Sequence, residues 1–312
     1  MLDIPEIGFR RSVKKHNCDL PVVCDWVEAS LLLDETEISQ THVSDILQEQ
    51  EYYPREAKED RDFVAEFEGM IWMELERRAR LMGHVCLFEI SGKRVIQRRS
   101  WDEDVASAFL LVLSCSEYYS AIRDFGDYVV QGDLFEDFCC EALQGNGWQA
   151  SRTGWASHPG AEKLSNTVAA VAAAVDERFI NDEVVKLCKH ENEAGCDLVS
   201  HWPYADKWTG RPIVLLQCAS GADYADKLGT PNIDRWRDFI AFSTIPLRGF
   251  CTPRAFESRE FRQQSGKVKG LLLDRFRLLE PFALGAREVS APLIQRLVNW
   301  LRPRVRAMPI LR

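Results

Sequence analysis

Two short apolar runs, GCDLV at 195–199 and IVLLQCA at 213–219, each carry a polar side chain inside what is otherwise the pattern of a buried strand. Successive side chains of a strand point to opposite faces. Ile213, Leu215, Gln217 and Ala219 therefore share one face of the second strand, and Asp197 and Val199 share one face of the first. The turn-rich WPYADKWTGRP joins the two. A chain that folds this way sets a carboxylate and an amide on successive strands. Two roles suit them: hydrogen bonding to a neighbouring loop, or ligation of a hard cation. Magnesium keeps several waters, so one carboxylate, one amide oxygen and a nearby backbone carbonyl suffice to hold it.

The flanking sequence predicts the setting. Upstream, LFEDFCCEAL at 134–143 has apolar residues at helical spacing and is stopped by Gly145 and Gly147. WQASRTGW suits a strand, and the alanine-rich segment 163–179 suits a helix inserted before the next strand. Downstream, a helix is expected over 223–242 despite Pro231, then a strand at 247–252, one more strand in GLLLDRFRLLEPF and a last helix over 291–301. The first 125 or so residues are mainly helical in pattern. They comprise a short apolar helix at 25–33, a helix from Asp45 broken at Pro54, and a long helix over 61–82. The long helix carries a stripe of Phe63, Phe67, Met70, Ile71 and Leu75, and Gly83 ends it. A hairpin around Ser91-Gly92-Lys93 and a helix over 101–116 opened by Asp102 follow. The chain is thus expected to be α/β, with a mainly helical accessory domain over 1–128 and a second domain over 129–312.

At 46% hydrophobic and 28% charged residues, the composition is that of an ordinary globular protein. No apolar run approaches the roughly 18 residues needed to cross a bilayer, and the N-terminus lacks the pattern of a secretory signal. A cytoplasmic protein is expected. Ten cysteines at irregular spacing, without a CxxC pair, are expected to be ordinary thiols. Cys188, His190 and Cys196 match no zinc spacing. The net charge of −9 conceals a division: residues 240–312 hold 14 Lys and Arg against 5 Asp and Glu, a net +9, and the remaining 239 residues carry −18. A basic segment of this kind can track a phosphate backbone.

Taken together, Glu136 in LFEDF, Asp197 in GCDLV and Gln217 in QCA, with the order helix, three strands, helix, strand, resemble the PD-(D/E)XK or restriction-endonuclease-like nucleases over about residues 132–255. The resemblance implies a mixed central sheet flanked by helices. It also implies a metal-dependent phosphodiesterase, usually cutting DNA and often serving restriction, repair or phage defence. Asp197, Gln217 and Glu136 would hold Mg2+ or Mn2+, and Arg248, Arg254, Arg259 and Arg262 would contact DNA phosphates. The family's lysine position is occupied by Ala219. Lys227, ten residues beyond Gln217, is the expected replacement, with Lys189 and Lys207 as weaker substitutes. The resemblance also implies a partner protein such as a helicase or ATPase, since the chain has no GxxxxGK[ST] motif and any motor function would come from a separate protein, and many relatives cut duplexes as dimers. The competing expectation is a degenerate nuclease fold that binds nucleic acid or a partner without cutting.

Overall fold

The computed structural model describes residues 1–6, 20–50, 61–153, 164–180 and 195–311. Pro54, Cys188, Lys189 and His190 lie outside the described residues. The chain divides into two compact units, one of Met1–Gly126, Arg254–Glu257 and Ile294–Arg312, the other of Asp127–Pro253 and Ser258–Leu293. Among the described residues no helix is long and apolar enough to cross a membrane.

In the first unit, α1 (Leu20–Leu33) is buried along almost its whole length. Three short strands, β1 (Glu37–Ser39), β2 (Phe88–Ser91) and β3 (Arg94–Gln97), form an antiparallel sheet in the order β1-β3-β2. The helices α2 (Gln40–Glu49), α3 (Arg61–Met82), α4 (Val105–Cys115) and α5 (Ser120–Arg123) complete the run up to Gly126. On α3 the expected stripe is buried at Phe67, Ile71 and Leu75, but Met70 is exposed. Trp72, Glu74 and Arg78 are buried as well, and α3 meets α1 through charge as well as through apolar surface. The Arg78 guanidinium, fully buried, binds Asp25 at 2.7 Å and Glu28 at 2.9 Å on α1 and Glu74 at 3.0 Å on its own helix. Ser114 of α4 donates to the other Asp25 oxygen at 2.7 Å. The cap of α4 is Asp104, accepting from Ser107 N at 3.1 Å, and not Asp102 as expected.

The second unit is a mixed α/β layer structure. Its five-stranded sheet has the order β10-β9-β7-β6-β4, from β4 (Gln149–Arg152), β6 (Leu198–His201), β7 (Ile213–Cys218), β9 (Leu247–Cys251) and β10 (Leu271–Leu273). The β4, β6 and β7 strands are antiparallel neighbours, and β9 runs parallel to both β7 and β10. Leu215 of β7 stands opposite Val199 of β6, and Cys218 stands opposite Cys251 of β9. One face of the sheet, with Val199, Ile213 and Leu215, packs on Val168 and Val171 of α7 (Leu164–Ala174) and on Trp236 and Phe239 of α8 (Ile233–Phe239). The other face receives α6 (Tyr128–Gly145), against which α10 (Arg275–Ala283) lies. On that second face Gly249 of β9 has no room for a side chain: a Cβ would stand 2.6 Å from Leu216 and 2.8 Å from Val214.

The helix expected over 223–242 is interrupted. A 3-10 turn covers Ala222–Lys227, the chain passes Gly229 and Pro231, and α8 restarts with Asn232 accepting from Arg235 N at 3.2 Å. Proline has no N–H to give a helix, and Ile240 leaves α8 to pair, as β8 (Ile240–Ala241), with β5 (Arg178–Phe179). GLLLDRFRLLEPF is a strand only as far as Leu273, because Asp274 caps α10 by accepting from Arg277 N at 3.1 Å. The helix α9 (Ser258–Val268), to which the sequence reading assigned no element, stands between β9 and β10. The last helix, α11 (Ala291–Ala307), runs past the expected end at 301.

Candidate functional site

At the end of β6 nearest the C-terminus of β7, the ladder is completed by a side chain. Asp197 N donates to Leu216 O at 2.8 Å, and Asp197 Oδ2 accepts the next N–H of β7, that of Cys218, at 2.7 Å. The backbone cannot continue the pairing because Gly195 turns away at φ +67°. No other residue fits there: a Cβ on Gly195 would stand 2.7 Å from Thr230 Cβ and 3.4 Å from Gln217 Oε1. Asp197 itself is buried.

Gln217 lies across from Asp197. Its Nε2 donates to Asp197 Oδ2, and also to the Cys218 carbonyl at 3.3 Å. The far side of the amide, Oε1, is 3.2 Å from Thr230 Oγ1. Thr230 Oγ1 also reaches Lys227 O at 2.6 Å, and a hydroxyl has only one proton to donate. With that proton on the shorter bond, Thr230 turns a lone pair toward Gln217, where an amide N–H would be the better partner. Turning the amide by 180° satisfies Thr230 and brings Gln217 Oε1, Asp197 Oδ2 and Cys218 O together as three oxygens. In that orientation a cation would replace the two N–H contacts that the amide now makes to Asp197 Oδ2 and the Cys218 carbonyl. Turned that way, the three oxygens are donors of the kind a hard divalent ion of the Mg2+ or Mn2+ type takes, the carbonyl being that of Cys218.

The remaining candidate residues are placed as follows. Glu136, on α6, accepts from Arg152 of β4 at 2.9 and 2.7 Å. The same guanidinium holds Asp133 at 2.5 Å and Asp137 at 2.9 Å, so this cluster of carboxylates is already neutralised in part by protein. Ala219 is buried and donates its N–H to Cys251 O at 3.0 Å, leaving no cation at the family's lysine position. Lys227 ends the 3-10 turn, half-buried, with its ammonium on Asp223 at 3.0 Å. Its carbonyl, bound to Thr230, keeps its backbone one residue contact away from Gln217. Lys207 sits exposed in the β6–β7 loop at φ +56°.

The four arginines divide. Arg248 on β9 donates to Pro231 O at 2.8 Å and Val268 O at 3.0 Å, a structural clamp. Arg254 pairs with Glu117 in the first unit. Arg259 and Arg262 are exposed on α9, one turn apart, with the buried Gln264 and Val268 on the opposite side of the helix. Much of the +9 segment is likewise structural: Arg275 donates to Pro253 O at 3.1 Å, and Arg304 lies 3.8 Å over the Trp300 ring.

Sequence spacing did not reveal a second grouping. Cys139 of α6, Cys218 at the end of β7 and Cys251 at the end of β9 bring their thiols within 4.8 Å of one another. Hydrogen bonds from Cys139 and Cys218 pull Cys251 down to about 5, whereas burial pushes Cys139 and Cys218 well above the usual thiol range. The neighbouring Cys140 points elsewhere, with its thiol on Ala150 O at 3.4 Å. The one sequence signal was that 218 and 251 each close a strand. Nothing in the spacing indicated that those strands are neighbours.

The chain matches no protein-family model, no curated protein and no solved structure.

Proposed function

We propose that this chain is a metal-dependent endonuclease acting on DNA, with a restriction-endonuclease-like core in its second unit and Mg2+ or Mn2+ as its ion. The observation that supports this most is the meeting of Asp197 Oδ2, the Cys218 carbonyl and the Gln217 amide at one point. Asp197, Gln217 and the Cys218 carbonyl would hold the ion, which when bound supplies Lewis-acid stabilisation of phosphate charge and a more acidic water. Thr230 orients Gln217, and Gly195 provides the space in which both stand. Glu136, engaged by Arg152, acts from the outer shell. The Lys227–Asp223 pair is an exposed i,i+4 contact, worth about 0.3–0.5 kcal/mol. Lys227 therefore leaves Asp223 at small cost and supplies the cation missing at Ala219. Arg259 and Arg262 present positive charge to the phosphate backbone.

A second reading has its own observation. With Ala219 at the lysine position and Lys227 resting on Asp223, the same fold serves as a subunit that binds DNA without cutting. Plasmid nicking with Mg2+ or Mn2+ separates the two readings, run beside anisotropy titrations of labelled duplex. The endonuclease reading expects nicking by the wild type that falls by two orders of magnitude or more in Asp197→Ala, from loss of roughly 3 kcal/mol of electrostatic stabilisation, and that also fails in Lys227→Ala. Duplex binding without nicking establishes the second reading. Arg259→Glu with Arg262→Glu should lower the salt slope of binding by about 2, close to 0.9 per phosphate contact.

A further inference from the structure

Three buried or partly buried thiols from three separate elements converge on the face of the sheet covered by α6. Cys139 and Cys251 are fully buried, and Cys218 is partly exposed at its strand end. The register makes the convergence specific. Cys218 and Cys251 are direct partners on parallel strands, so their side chains leave the sheet side by side, and α6 lowers Cys139 onto them. All three sulfurs lie within 4.8 Å of one another. A metal bound at the usual ~2.3 Å to three thiolates holds its sulfurs about 3.8–4.0 Å apart, so a contraction of at most about 1 Å closes the site. Soft sulfur ligands select Zn2+ and Cu+ over the hard ions that oxygen donors prefer.

We propose that Cys139, Cys218 and Cys251 form a three-thiolate site for one thiophilic d10 metal ion, Zn2+ or Cu+. Each thiol that is protonated before binding gives its proton to solvent as its sulfur takes the metal. The bound ion ties α6 to the C-terminal ends of β7 and β9 and thereby stiffens the strand end that carries Gln217 and the Cys218 carbonyl. This site lies apart from the Asp197 and Gln217 oxygens and does not rest on the endonuclease reading. Its ligands are sulfur, and its occupancy is read without any assay of cleavage.

The test is an anaerobic titration of the reduced full chain with Cd2+, standing in for Zn2+, and separately with Cu+ supplied as its acetonitrile complex. The expected result is a near-ultraviolet thiolate-to-metal charge-transfer band that saturates at one equivalent with at least one of the two ions. The same ion should raise Tm. The band should be lost in Cys218→Ser and in Cys139→Ala, each checked by circular dichroism to be folded, and kept in Cys140→Ser. A saturating response to Cd2+ alone assigns the site to Zn2+, and one to Cu+ alone assigns it to Cu+. Absence of a band from folded wild type with both ions overturns the proposal, as does a band that persists in folded Cys218→Ser. If both variants fail to fold, cysteine alkylation of the wild type decides: one equivalent of metal should shield the partly exposed Cys218 while leaving Cys140 as reactive as before, and a Cys218 that reacts equally with and without metal overturns the site.

Discussion

Gln217 Nε2 and Asp197 Oδ2 meet across the β6–β7 pair, and the same Asp197 oxygen accepts the N–H of Cys218 at 2.7 Å. One carboxylate oxygen therefore closes a backbone ladder and faces a side-chain amide. The pair is neutral toward itself only while the amide presents its nitrogen.

Gln217→Glu tests that dependence without any assay of cleavage. Two carboxylates about 4 Å apart repel by roughly 4 kcal/mol at an effective dielectric of about 20. The variant should melt several degrees below wild type in EDTA and regain most of that loss in millimolar Mg2+, with a larger Mg2+-dependent rise in Tm than wild type shows. Equal Mg2+ response in both proteins would remove Gln217 from the ion site.

Gly195→Ala should unfold the second unit more readily. The substitution places a Cβ 2.7 Å from Thr230 Cβ at a backbone φ of +67°. The left-handed conformation alone costs a residue with a side chain about 1–2 kcal/mol. Urea unfolding should show a lower midpoint at unchanged slope, and a midpoint within error of wild type would mean that the 195 turn is not held as described.

Arg78→Leu should destabilise the first unit by about 3–5 kcal/mol, the usual result of removing one member of a buried ion network. Asp25, Glu28 and Glu74 all keep their places around an absent cation. Arg78→Lys should recover little of this, because an ammonium cannot reproduce the guanidinium fork. Thermal unfolding followed by circular dichroism measures both.

Acid should weaken the second unit through His201. This ring is buried, with Nε2 3.1 Å from Gln149 Oε1. Burial and then the nearby Arg211 lower its pKa, with Asp176 opposing. The unfolded histidine binds a proton more readily than the folded one, so stability rises with pH across this range. The contribution is complete above the unfolded value of about 6.5 and is lost as pH falls through the lower folded value. Unfolding midpoints taken between about pH 5 and 7.5 should slope downward toward acid in wild type and flatten in His201→Gln; equal slopes would take His201 out of the account.

The strands carrying Asp197 and Gln217, the long helix over 61–82 and the hairpin at Gly92 were legible in the sequence, because apolar period and turn chemistry are local properties. So was the placing of a carboxylate and an amide on two successive strands; that they stand opposite one another depends on the register of β6 and β7. Other features depend on partners distant in sequence. Nothing near Arg78 announced that it would be buried, because its counter-charges lie mainly on α1. Arg248 looked like a phosphate contact until the fold set Pro231 O and Val268 O around it. The thiol triad depends on β9 pairing in parallel with β7 and on α6 covering that face. By itself the sequence determined many of the strands and helices, though not α9, the break before Pro231 or the start of α10, and it placed a carboxylate and an amide on two successive strands. Only the tertiary structure decided which arginines hold carbonyls, which carboxylates hold an arginine and which cysteines meet, because each of those is settled by backbone groups and side chains brought together from far along the chain.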